Sequence, residues 1–474
     1  MNKIYIIIIG ALLLVSCSVG KEYSRTQIET PASFRTASGN TSTLDTNHIT
    51  LMHWKEFFSD VALQQIIDSV LKRNYDKLVA LNNIQLNEQY LKQAKVAWLP
   101  NVTATISAGS NRFSDNSLNG ENGFNLNKTI GSHHLDDYSA NLGVSWEIDI
   151  WGKIRKQKEV ALVSYLQSQE ASKALQTRLI AATASAYYNL SMLHKQLDIA
   201  RKNLALNDST VKMIRIQTEN GEATTLALQQ AEIQQKSTAS LIPDLEQALM
   251  IQENALNLLM GQHAESINMG DGLDRFTIPE KFETGIPVQL LNRRPDVRER
   301  EYALRTANAR MGIAQANMYP ALSINVAGGI NSFQFSNWMT LPASLFGNVL
   351  GNIVQPVFNK RKLKTQLNIS RIEYEQAVTY FRKQVVSAAT EVSDALITSE
   401  KLKQKMEIIH SQNHILQLAV PNARLLYFNG KANYLEVIAA QQSLLQNELG
   451  LANLKRQQVS AYIELYRTLG GGIE

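Results

Sequence analysis

The sequence predicts a mainly α-helical fold carrying a β-barrel, built as two copies of a helix–β-hairpin–long helix–long helix unit. Three observations predict it. A heptad seam runs from Val378 through Phe381, Val385 and Ala388 to Val420, Ala423 and Tyr427, in steps of three and four. Such a seam supercoils a helix against neighbours. Two other stretches switch to strict alternation, the mark of a half-apolar strand. Finally, features of the first half recur in the second.

The chain opens with Lys3, an apolar run from Ile4 to Val15, then Leu14-Val15-Ser16-Cys17. This pattern predicts a signal peptide over residues 1–16. Cys17 is the one cysteine in 474 residues, so no intrachain disulfide can form. Its place at the end of L-V-S-C predicts a lipid anchor. Lys and Arg number 47 against 42 Asp and Glu, with no basic block, which argues against nucleic acid. No later apolar run reaches the ~18 residues of a membrane helix, so a membrane crossing would need a β-barrel.

Residues 17–60 read as an anchor and strap ending at Trp54-Lys55-Glu56-Phe57-Phe58. The first repeat spans 61–286. Leu63, Ile66, Ile67 and Val70 open a helix that continues through Leu78, Leu81 and Leu91. Strands fall at about 101–150. Val102, Ala104 and Ile106 alternate with Thr103 and Thr105; Leu142, Val144, Trp146 and Ile148 alternate with Gly143, Ser145 and Glu147. Helices follow at about 153–217 and 224–260, separated at Asn220-Gly221. The second repeat spans 287–474, with strands at about 321–357 and helices at about 360–427 and 432–469.

Matched features tie the copies together. Ala94 to Pro100 answers Ala314 to Pro320, Trp151-Gly152-Lys153 answers Phe358-Asn359-Lys360, and Asn220-Gly221 answers Asn429-Gly430. Four strands cannot close a barrel, and an open edge cannot sit in lipid. Chains must therefore pool strands: two copies give eight, three give twelve. A symmetric homo-oligomer follows.

With these parts in place the chain resembles the TolC-like outer membrane efflux proteins, in the lipoprotein branch that serves resistance-nodulation-division pumps. Leu290-Leu291-Asn292-Arg293-Arg294-Pro295-Asp296-Val297-Arg298 carries the resemblance most specifically. Val19 to Tyr23, Pro31, Phe34, Trp54 to Phe58 and Leu469 to Gly472 also fit. The resemblance implies a homotrimer, a twelve-stranded outer membrane barrel and an α-helical periplasmic barrel. It implies a passive conduit for drugs and toxic compounds, docked to a periplasmic adaptor and an inner membrane pump.

It also implies a constriction beyond the glycine turns, where Tyr427 and Glu436 are the aperture candidates. Three copies of Glu436 would form an acidic ring, which favours cations. The chain departs from some members at Ala432, Ala439 and Ala227, which removes polar contacts. Pro421 is expected to bend the helix before the tip.

Other readings are protein secretion through a type I system and a lipid-anchored coiled-coil scaffold. An enzyme is disfavoured: H-E-x-x-H, G-x-x-x-x-G-K-[ST] and G-x-S-x-G are missing. His410 and His414 share a helix face but have no third ligand nearby. No cofactor or metal is expected.

Overall fold

A computed structural model describes residues 19–25, 34–35, 53–114, 116, 134–270, 272–276 and 293–471. Cys17 and Leu290 to Asn292 lie outside these. The elements are α1 (Trp54–Phe57), α2 (Val61–Arg73), α3 (Tyr75–Val96), β1 (Asn101–Asn111) and β2 (Leu135–Ile148). Then come α4 (Lys153–Glu219), α5 (Thr225–Leu259), α6 (Gly272–Arg275) and α7 (Pro295–Ala316). The chain finishes with β3 (Ala321–Ser332), β4 (Leu345–Val354), α8 (Lys362–Phe428) and α9 (Tyr434–Thr468).

The repeat is stricter in the structure than in the sequence. The long pairs α4/α8 and α5/α9 have 67 and 35 residues each and begin 209 positions apart, at 153 and 362 and at 225 and 434. At that offset Gly152 matches Arg361, not Asn359. Both residues have left-handed backbone just before a helix, with φ of 77° and 67°. The expected match of Gly152 with Asn359 is therefore two residues early. A second correction concerns the first helix, which is broken at Asn74. The Asn74 side chain accepts from Lys77 N at 3.2 Å and donates to Leu259 O at 2.9 Å. Asparagine caps a new helix more readily than it sits inside one.

Two compact units divide the chain, and neither coincides with a repeat. The first comprises residues 1–26, 86–166 and 302–379. Its centre is one antiparallel sheet in the order β1-β2-β3-β4. The register places Val102, Val144, Val326 and Val349 in one cross-strand row, and Ile106, Ala140, Ile330 and Leu345 in another. Between them run polar and small residues such as Thr105, Asn141 and Gly329. One face is thus apolar, and Val102, Ile106, Leu142, Val349 and Ile353 on it are exposed. On the other face Ser107 and Ser139 share a hydrogen bond of 2.8 Å. β4 departs from this alternation, since Phe346, Leu350 and Val354 carry apolar groups to its second face. β4 ends at Val354, short of Val357.

Tryptophans fasten the strand ends. Trp146 donates to Trp98 O and Trp151 to Pro320 O, both at 2.8 Å, and Trp151 stacks on Tyr319.

The second unit comprises residues 27–85, 167–301 and 380–474. Phe57, Phe58, Leu63, Ile67, Tyr187, Tyr188, Leu256, Tyr462 and Tyr466 share its main core. Phe57 stacks on Tyr462 at 4.3 Å between ring centres, which explains the aromatic strap motif. Phe34 is buried among Val392, Ala395, Leu465 and Leu469. The α8 seam is buried where expected at Phe381, Val385, Ala388, Val392 and Ala395. The helix runs through Pro421 to Phe428 without interruption.

Candidate functional site

The helix tips are built from two equivalent turns. Each long helix ends in a left-handed glycine, Gly221 at φ 77° and Gly430 at φ 64°. Glu222 N donates to Gln217 O at 2.8 Å, and Lys431 N to Leu426 O at 2.9 Å. These bonds close the six-residue glycine cap that satisfies the last carbonyls of a helix.

The two turns differ in how they start the next helix. Thr224 caps α5 by accepting from Ala227 N at 3.2 Å. At the matching place Asn433 accepts from Glu436 N at 3.2 Å, and the Glu436 carboxylate accepts from Asn433 N at 3.5 Å. This is a reciprocal capping box. Glu436 is exposed. The Asn433-x-x-Glu436 spacing was the signal for the box.

Tyr427 is half-buried and packs against the small cluster of Val211, Ile214, Ala227 and Ala231. Its hydroxyl donates to Gln217 Oε1 at 2.5 Å, tying the two repeats together at their tips. Burial raises the Tyr427 pKa above the ordinary tyrosine value, with the Glu222 charge and Tyr434 adding to it. The phenol therefore remains a donor at neutral pH. The structure does not join Tyr427 to Glu436; each has its own partner. Gln217 was not foreseen, because its counterpart in the second repeat is Leu426 and no periodicity marks it.

The Arg293-Arg294-Pro295-Asp296 stretch occupies a different place. Arg294 is 2% exposed. It bonds Asp296 at 2.7 Å, Glu391 at 2.8 Å and Thr468 O at 3.2 Å. Arg467 shares Glu391 at 3.0 Å, and Gln384 donates to Asp296 at 2.8 Å. One guanidinium thus clamps the start of α7, the middle of α8 and the end of α9. Burial alone would raise the Asp296 carboxyl, but the bonds and charge of Arg294 outweigh it and hold the pKa low. This clamp is structural.

Among the described residues no group of three His, Cys, Asp or Glu is placed to hold a metal ion. His410 and His414 are exposed. No described helix is long and apolar enough to cross a membrane.

Comparison with known proteins agrees with this architecture. The model of the outer membrane efflux protein family matches residues 66–262 and 286–471. The chain is 28% identical over 467 residues to the cation efflux system protein CusC of Escherichia coli O6:H1, covering 98% of this chain and 97% of that protein. It is 28% identical over 465 residues to a probable outer membrane lipoprotein, SilC, of Salmonella typhimurium, covering 97% and 96%. A crystal structure of CusC superposes with a TM-score of 0.83 at 26% identity, covering 96% of this chain and 100% of that one.

Proposed function

The chain belongs to the outer membrane efflux protein family, and from that premise we propose how its parts divide the work. It is an outer membrane lipoprotein and the channel component of an efflux system. It supplies a passive path for small molecules.

The open four-stranded sheet carries the reading of assembly. Its apolar face is uncovered and β1 and β4 are both unpaired edges within one chain. Pairing β4 of one copy with β1 of the next removes the edges, and three copies complete a twelve-stranded barrel. Cys17 carries the lipid that holds the chain to the membrane. The partners are a periplasmic adaptor and an inner membrane resistance-nodulation-division pump, which meet the channel on its periplasmic side.

Tyr427 and Glu436 form the periplasmic aperture. Tyr427 holds the α8 tip against α4 through Gln217, and Glu436 supplies negative charge in the first turn of α9. The CusC relatives are named for cation efflux, so cations are the first cargo class to test beside organic toxins. Protein added to a planar bilayer should give discrete conductance steps. A host strain lacking the chain should become sensitive to one of those cargo classes. Protein that never conducts, and whose loss changes no sensitivity, would contradict the reading.

A further inference from the structure

The junction between β4 and α8 is chemically unlike its twin between β2 and α4. In the first repeat three bases at the helix start have a carboxylate partner. Lys153 pairs with Glu147 at 2.8 Å, Arg155 with Asp149 at 3.2 Å, and Lys156 with Glu159 at 2.7 Å. At the offset of 209 those three carboxylates become Pro356, Phe358 and Asn368. The bases at 153 and 155 persist as Lys362 and Lys364, and Lys360 and Arg361 are added. All four are exposed, and none forms an ion pair with a described carboxylate.

Backbone strain singles out the same place. Lys360 and Arg361, with φ of 53° and 67°, are the two non-glycine residues at positive φ among those described. The first repeat uses Gly152 at the equivalent point. A side chain in that region costs energy, and such strain points to a role for the side chain itself.

The apolar surface leads directly into these bases. Val349 and Ile353 on β4 are 76% and 75% exposed, and Val357 and Phe358 beyond it are 99% and 85% exposed. Apolar groups followed at once by unpaired bases form the pattern of a segment at a membrane–water interface. A groove lined by Lys21 and Arg371 carries further basic charge in the same unit.

We infer that Lys360, Arg361, Lys362 and Lys364 bind the headgroups of anionic phospholipids at the periplasmic edge of the barrel, with Val357 and Phe358 in the acyl region. The inference rests on the sheet spanning the outer membrane. Charge complementarity and continuity with the exposed apolar face select lipid as the occupant. Clustered bases next to a membrane segment recruit acidic lipid in this way.

Native mass spectrometry of the full-length protein, resupplied with phosphatidylglycerol or phosphatidylcholine, tests it. The native protein should retain phosphatidylglycerol at least about tenfold better. Changing all four bases to glutamine should abolish the preference, whereas Lys153→Gln with Arg155→Gln should leave it intact. The preference of the native protein should also shrink as salt rises from about 0.1 M to about 1 M, a readout that needs no variant. Equal retention of both lipids, or a preference that survives the four substitutions, would overturn the inference. So would a four-base variant that fails to assemble yet keeps its lipid preference, since the patch would then belong to the contact between copies. A preparation that conducts in bilayers without any lipid preference would refute the lipid site and leave the channel reading standing.

Discussion

Glu436 holds two positions at once, third residue of α9 and exposed carboxylate six residues past Gly430. Glu436→Gln separates them. Glutamine can complete a capping box as glutamate does, so the melting temperature should hardly move. If the carboxylates form a ring, the reversal potential under a salt gradient should shift toward zero, and an unchanged potential would remove Glu436 as a filter. Tyr427→Phe deletes the bond to Gln217 and should raise the open fraction in single-channel records. Arg294 is of another kind. Arg294→Met removes the guanidinium partner of Asp296 and leaves Glu391 with Arg467 as its ion-pair partner, and loss of one partner from such a cluster costs about 3 kcal/mol or more. Denaturant titration would measure it. The clamp also sets an acid limit. The Asp296 pKa is lower folded than unfolded, so its contribution is full above about pH 4 and is lost as pH falls further. Arg294→Met should flatten that acid limb. Glu436 and Tyr427 became candidates through the family resemblance, by their distance to Asn429-Gly430. Gln217 and the Glu391 and Thr468 partners of Arg294 were not legible, because each of those bonds joins residues that only the fold brings together.

At the scale of elements, alternation and heptads fixed what was strand and what was long helix, because both patterns reflect burial on one side. Val102, Ile106 and Leu142 share one face as their spacing required, and the α8 seam from Phe381 to Ala395 is buried. Boundaries obeyed local chemistry instead. Asn74 broke the stripe because its side chain caps the start of α3, inside a run of apolar residues that reads as one helix. Arg361 took the backbone of a glycine, which no preference for the residue type foretells. That substitution yields a prediction. Lys360→Gly with Arg361→Gly removes two side chains from left-handed backbone and should stabilise the protein by ~1 kcal/mol per site. Thermal unfolding would detect the gain, and the same variant should lose phosphatidylglycerol preference. Stability and lipid binding would then be seen to oppose each other.

At the scale of the whole molecule, one chain offers an incomplete object. Its sheet has two free edges and an uncovered apolar face, and only copies of itself can supply matching strands in matching order. The sequence carried this conclusion as far as a choice of two or three copies, since counting strands does not set a symmetry. Three is the number that the resemblance supplies. An electron-microscopy reconstruction of the full-length protein in detergent tests it most directly. A hollow three-fold particle is expected, its barrel of twelve strands with β4 of each copy beside β1 of the next, and with Tyr427 and Glu436 around a pore opening. A monomer, a closed two-fold barrel or a solid helical bundle would contradict it.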